Sequence, residues 1–173
     1  MKFLFTKNNK WTSKLALYLS EEPVCHIAIE FSTLNLVIDS STTGVKISRS
    51  KTFKRKNEVI KTFDLKVDKW SQIFLFNETL DQIEGLPYDF MAYFQLVLWG
   101  IGRKFFKMKP PVANPMQKPN SILCSEVIYP LFPYLLKRGY DLYKIDLTAV
   151  SPWMVYCELE RQQKEHEARN KRC

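Results

Sequence analysis

Val24-Cys25-His26-Ile27-Ala28-Ile29-Glu30-Phe31, followed after Ser32-Thr33 by Leu34-Asn35-Leu36-Val37-Ile38-Asp39, is the stretch on which the fold turns. In the first run Val24, His26, Ala28 and Glu30 fall on one side, and Cys25, Ile27, Ile29 and Phe31 on the other. Alternation at period two with β-branched residues is the pattern of a strand, because successive Cβ atoms point to opposite faces. Leu34 to Asp39 reads as a second strand, and the tight connection at Ser32-Thr33 suits an antiparallel neighbour. Working outward, Met1 to Lys7 reads as a short strand. Ser40 to Gly44 is a turn, Val45 to Ser48 a third strand beyond it, and Glu58 to Val67 a further one. Trp11 to Ser20 carries Leu15, Leu17, Tyr18 and Leu19, and reads equally as a short helix or an extended segment. The first half is mostly antiparallel β.

The second half changes period. Trp70 to Ile83 places Ile73, Leu75, Phe76 and Leu80 near helical spacing, and Gly85-Leu86-Pro87 stops it. Asp89 to Phe106 is a longer, strongly apolar helix with Asp89 as its cap. Pro110, Pro111, Pro115 and Pro119 make Met108 to Pro119 an irregular loop. Ser121 then caps a helix to about Leu136, which Pro130 and Pro133 split into two pieces. A terminal helix follows Pro152, and its nearly all-charged end reads as solvated, with His166 at the surface. The expected class is α+β, a small antiparallel sheet packed against helices. The expected domain spans residues 1–157, with 158–173 as a charged C-terminal helix or tail.

The chain has 173 residues, 46% of them hydrophobic and 14% aromatic, which is enough apolar surface for one domain with a real core. Global disorder is excluded on the same ground. The longest mostly apolar stretch, Phe90 to Ile101, is interrupted by Gln95 and falls short of a bilayer span. No secretory leader is recognisable in the first residues, so a cytoplasmic protein is expected. The net charge of +8 favours acidic partners. Part of it is local, in Lys51, Lys54, Arg55 and Lys56 and again in Arg103, Lys104, Lys107 and Lys109, the second cluster interleaved with Phe105 and Phe106. These clusters give weak support to nucleic-acid binding, and most basic small proteins have no such partner.

Four cysteines (Cys25, Cys124, Cys157, Cys173) form no CxxC pair, so neither a zinc site nor any cofactor is expected. With two histidines in the chain, any imidazole chemistry has two candidates, and His26 is the one in an apolar strand. Cys124 lies near a helix start in Asn120-Ser121-Ile122-Leu123-Cys124-Ser125-Glu126, where unpaired backbone N–H groups favour a thiolate. A neighbouring imidazole favours it further and can protonate a leaving group, while Asp39, at the end of the next strand, can orient that imidazole. Taken singly, a strand histidine is most often a hydrogen-bonded structural residue and a lone cysteine a small core hydrophobe. The joint placement is what argues for chemistry. Tyr88 reads either as a pocket wall or as a core tyrosine with its hydroxyl satisfied. Glu126 reads as structural, since its charge facing the sulfur would oppose thiolate formation.

Cysteine, histidine and a third polar residue on a helix start and two strands is the papain-like arrangement, here with the histidine first. That order and several motifs resemble the circularly permuted NlpC-type papain-like hydrolases, the group of the YiiX-like proteins and the lecithin retinol acyltransferase relatives. Thr12-Ser13-Lys14-Leu15 through Cys25-His26-Ile27-Ala28-Ile29 is similar to the lead-in to the family's histidine strand. Leu36-Val37-Ile38-Asp39-Ser40 resembles the strand of the third polar residue, and Gly44-Val45 the turn after it. Pro87-Tyr88-Asp89, Cys124-Ser125-Glu126 and Pro152 resemble the Tyr-Asp pair, the nucleophile motif and the late proline. The third residue is often Glu in the group and is Asp39 here, while Cys25 replaces a frequent Ser and by alternation points away from the site.

The resemblance implies a permuted papain-like fold and a cysteine hydrolase with Cys124, His26 and Asp39 as its triad, Tyr88 and Ser125 near the substrate, and no metal. The family attacks peptide, cell-wall peptide and lipid acyl bonds, by hydrolysis or acyl transfer. A phage or bacterial accessory protein would fit such a chain. The alternative is a non-catalytic binding module on the same fold that holds nucleic acid or an acidic protein through its basic clusters.

Overall fold

Short runs of alternating apolar residues become one sheet of five strands. The structure is a computed structural model that describes residues 1–108, 115–116, 118 and 120–170. The strands are β1 (Lys2–Lys7), β2 (His26–Phe31), β3 (Leu36–Ser41), β4 (Gly44–Arg49) and β5 (Glu58–Asp64). They lie in the order β4-β3-β2-β1-β5, every pair antiparallel. Helices α1 (Trp11–Ser20), α2 (Ser50–Lys56), α3 (Lys69–Ile83), α4 (Phe90–Phe106), α5 (Phe132–Lys137) and α6 (Pro152–Asn170) complete the described elements, with a 3-10 segment, Ser125–Leu131, running directly into α5. The molecule is therefore mixed α and β with an antiparallel sheet, as expected.

The alternation assigns each strand residue a face. Phe3 stands opposite Ile29 and Phe5 opposite Ile27, and all four are fully buried together with Phe31 and Ile38. This face packs against Val127, Ile128, Leu131 and Leu135 of the 3-10 segment and α5, and Val155 and Leu159 of α6. Each such side chain contributes roughly 1.5–3 kcal/mol by leaving water. The other face holds a smaller cluster, Leu4, Ala28 and Val37 under Phe53 of α2. α2 was not expected, because its seven residues, Ser-Lys-Thr-Phe-Lys-Arg-Lys, hold one apolar side chain and so carry no periodic signal.

One local expectation is corrected and two are sharpened. Ser121 caps no helix: its hydroxyl donates to Asp89 Oδ2 at 2.8 Å, and helical structure begins four residues later. Pro130 lies within that segment, which has 3-10 geometry, and with no N–H it cannot join a helical ladder, while Pro133 falls in the first turn of α5. α6 runs unbroken past residue 157 and packs on the body beyond it, because Leu159 is fully buried and Gln162 bonds both backbone groups of Asp141. His166, expected at the surface, lies against Tyr140 with ring centroids 5.2 Å apart. Most of the proline loop, including Lys109, Pro110, Pro111 and Pro119, lies outside the described residues, as does Cys173.

Candidate active site

The sheet register brings the histidine and the aspartate together. Asp39 stands opposite Ala28, two residues along β2 from His26, so both side chains leave the same face. His26 Nε2 lies 3.3 Å from Asp39 Oδ2, with the two side chains 13% and 11% exposed. Phe53 of α2 flanks the imidazole, ring centroids 6.3 Å apart. Cys124 lies close enough to the imidazole to act on its charge, and both residues line the same groove. Burial by itself pushes His26 down, but the hydrogen bonds to Asp39 and Cys124 and their charges outweigh it and push His26 up to about 10. The imidazolium is therefore the form this site favours through neutral pH.

Cys124 is held by a turn pinned on several sides. Ile122 forms a parallel bridge with Tyr88, its N–H donating to the Pro87 carbonyl at 3.0 Å and its carbonyl accepting from Asp89 N–H at 3.2 Å. The Ser40 hydroxyl at the end of β3 donates to the same Ile122 carbonyl at 3.1 Å, which ties the turn to the strand carrying Asp39. Glu126 Oε2 accepts from Leu123 N–H at 2.7 Å, and Leu123 O accepts from Glu126 N–H at 3.1 Å. This reciprocal clamp has the three-residue spacing of a capping box, with the Leu123 carbonyl in place of the usual Ser or Thr side chain. Burial pushes Glu126 up, against the Leu123 hydrogen bond, to about 7. Its carboxyl serves the backbone of the turn, as the structural reading expects.

Asp89 caps α4 through Ala92 N–H at 2.9 Å and also accepts from Lys118 N–H and the Ser121 hydroxyl. Burial would raise its carboxyl, but these donors hold it below the usual carboxylate range. The helix behind Cys124 has only seven residues and 3-10 geometry, so its dipole adds less to a thiolate than a long α-helix would.

His26, Asp39, Tyr88 and Cys124 all line one open groove of about 850 Å³. Trp11 and Phe90 stand at its wall, and Lys46 and Lys56 add positive charge to it. Behind Cys124 a narrower cavity of about 80 Å³ runs between α1 and α4, lined by Leu19, Val24, Leu96, Val97 and Trp99. Cys25, Tyr88, Tyr93 and Cys124 line both spaces, so the sulfur sits where a polar groove meets an apolar slot. Burial, with Cys124 close by, raises the Tyr88 hydroxyl well above its ordinary range, so it stays protonated as a wall of the site. A separate surface cavity of about 710 Å³ near Tyr129, Tyr143 and Asp146 is lined by no cysteine or histidine.

Ser125 and Cys25 complete the surroundings of Cys124, and Cys25 sits otherwise than expected. The Ser125 hydroxyl donates to the Leu147 carbonyl at 2.6 Å and is buried, and Ser125 lines the apolar slot behind Cys124 rather than the open groove. Cys25 does not point away. It precedes the first residue of β2, beyond the reach of strand alternation, and it lines the same groove as Cys124, whose thiol lies 3.9 Å from the Cys25 carbonyl. Burial pushes the Cys25 thiol up. The chain matches no family model, no curated protein and no solved structure.

Proposed function

We propose that the protein is a cysteine hydrolase of the permuted papain-like, NlpC-type kind, acting on an amide or ester through an acyl-enzyme. The observation that carries this reading is His26 paired with Asp39 and sharing one open groove with Cys124. The Cys124 thiolate attacks the carbonyl carbon and forms a C–S bond, with the Cys124 backbone N–H as an oxyanion donor. Imidazolium His26 protonates the leaving amine or alcohol as the C–N or C–O bond breaks. Neutral His26 then takes a proton from water, the hydroxide displaces sulfur, and the acid leaves with the thiolate–imidazolium pair restored. An amine or alcohol in place of water makes the same site an acyltransferase. Asp39 orients the imidazole throughout. Peptide, cell-wall peptide and acyl-lipid substrates all fit this chemistry.

The test is the pH dependence of iodoacetamide alkylation at Cys124, read by peptide mass spectrometry. The expected outcome is alkylation of Cys124 that is lost in His26→Ala, while Cys25 in the same sample reacts only under alkaline conditions. Inert Cys124, or reactivity indifferent to His26, sinks the proposal. The second reading, a binding module for nucleic acid or an acidic protein, draws on α2, where Lys51, Arg55 and Lys56 are exposed while Lys54 is paired with Glu30 at 2.6 Å. Binding that weakens steeply with salt and survives Cys124→Ala would favour it.

A further inference from the structure

A surface helix ordinarily turns charged residues to solvent, and α4 does the reverse. Phe90, Met91, Phe94, Leu98, Ile101 and Phe105 fall within about 100° of its circumference, and they are 36–63% exposed. The opposite side is already used: Ala92 and Trp99 are buried, and Gly100 meets Leu19 of α1. No helix among the described residues is long and apolar enough to cross a membrane, so this face is not part of a span.

Charge narrows what can cover it. α4 contains no acidic residue. Its cationic end is partly paired, Arg103 with Glu22 at 3.4 Å and Lys104 with Glu21 at 3.5 Å. Lys107 just beyond it, and Lys10 and Lys14 at the start of α1, are exposed and form no ion pair among the described residues. Lys14 shares its face of α1 with Trp11 and Tyr18, which are 74% and 62% exposed. A second copy would bring +8 against +8, whereas an anionic surface attracts that charge. Aromatic side chains at both ends of the stripe, aliphatic ones in its middle and lysines alongside are what an interfacial helix presents to lipid.

We infer that the outer face of α4, with Trp11 and the neighbouring lysines, docks the protein on an anionic lipid bilayer. Phe90 and Trp11 also line the groove that holds Cys124, so docking there sets the mouth of the groove against the lipid. The inference does not require the site to be catalytic.

Flotation of the intact chain with vesicles tests it, using phosphatidylcholine alone and an equimolar mixture with phosphatidylglycerol. The expected result is flotation with the mixture and not with phosphatidylcholine alone, weakened by salt. Phe94→Asp, Leu98→Asp and Phe105→Asp each lower the partition coefficient by about tenfold or more, with circular dichroism and thermal midpoint unchanged. Cys124→Ala floats like the wild type, which keeps this result apart from that of the hydrolase test. Absence of flotation with the mixture overturns the inference, and so does flotation that all three substitutions leave intact. A dimer in sedimentation velocity that Leu98→Asp converts to monomer also overturns it, because a second copy then covers the face.

Discussion

His26 faces one carboxylate and one thiol, and near-complete burial makes each contact stronger than it would be in water. Its charge is therefore coupled to both neighbours. A histidine raised in the folded state to about 10 contributes stability that is complete below its unfolded value near 6.5 and is lost as pH rises through about 10. Asp39→Asn keeps a similar shape but removes the negative charge, so the His26 titration is expected to fall toward the ordinary histidine range. NMR of the ring protons reads this directly, and an unchanged titration would show that Asp39 does not hold the imidazolium. At this scale the candidate triad was legible because the chain offers two histidines and one of them lies in an apolar strand. The orientation of Cys25 was not, because alternation governs a side chain only inside a regular strand.

The elements depend on a few positions where the backbone leaves little choice. Gly44 opens β4 at φ +89°, and a Cβ there would meet the Leu86 carbonyl oxygen at 2.8 Å. That carbonyl also accepts from Val45 N–H, so it is not free to move aside. Gly44→Ala is expected to cost about 1–3 kcal/mol in urea unfolding, and a change of only a few tenths would mean that the Leu86–Pro87 segment yields. The strands were readable to within three residues because half-burial writes period two into the sequence. α1 was ambiguous, since Leu15, Leu17 and Leu19 suit a strand as well as a helix, and only packing on α4, where Leu19 meets Gly100, decides it. α2 left no pattern to read, and the segment after Cys124 shows that prolines can be placed from sequence while the helix geometry they leave cannot.

Across the whole molecule, α6 closes the larger core and continues beyond the expected boundary at residue 157. Leu159→Ala removes a fully buried side chain and is expected to destabilise the protein by about 2–5 kcal/mol, seen as a lower thermal midpoint. A solvated tail beginning at residue 158 would make the same substitution silent, so the measurement separates the two. By itself the sequence determined the strands, their antiparallel sense, the two helices α3 and α4 and the residues capable of chemistry, because hydrophobic period and residue type are local properties. Which residues meet was decided by the tertiary structure. The register of β2 on β3 put Asp39 beside His26, and the bridge from Tyr88 to Ile122 carried Cys124 across nearly a hundred residues to the same imidazole. The sequence showed that α4 was apolar, but which side of it stayed exposed depended on what α1 and the core could cover. Such contacts depend on how separate elements pack, and the energies that select one packing are spread over many side chains.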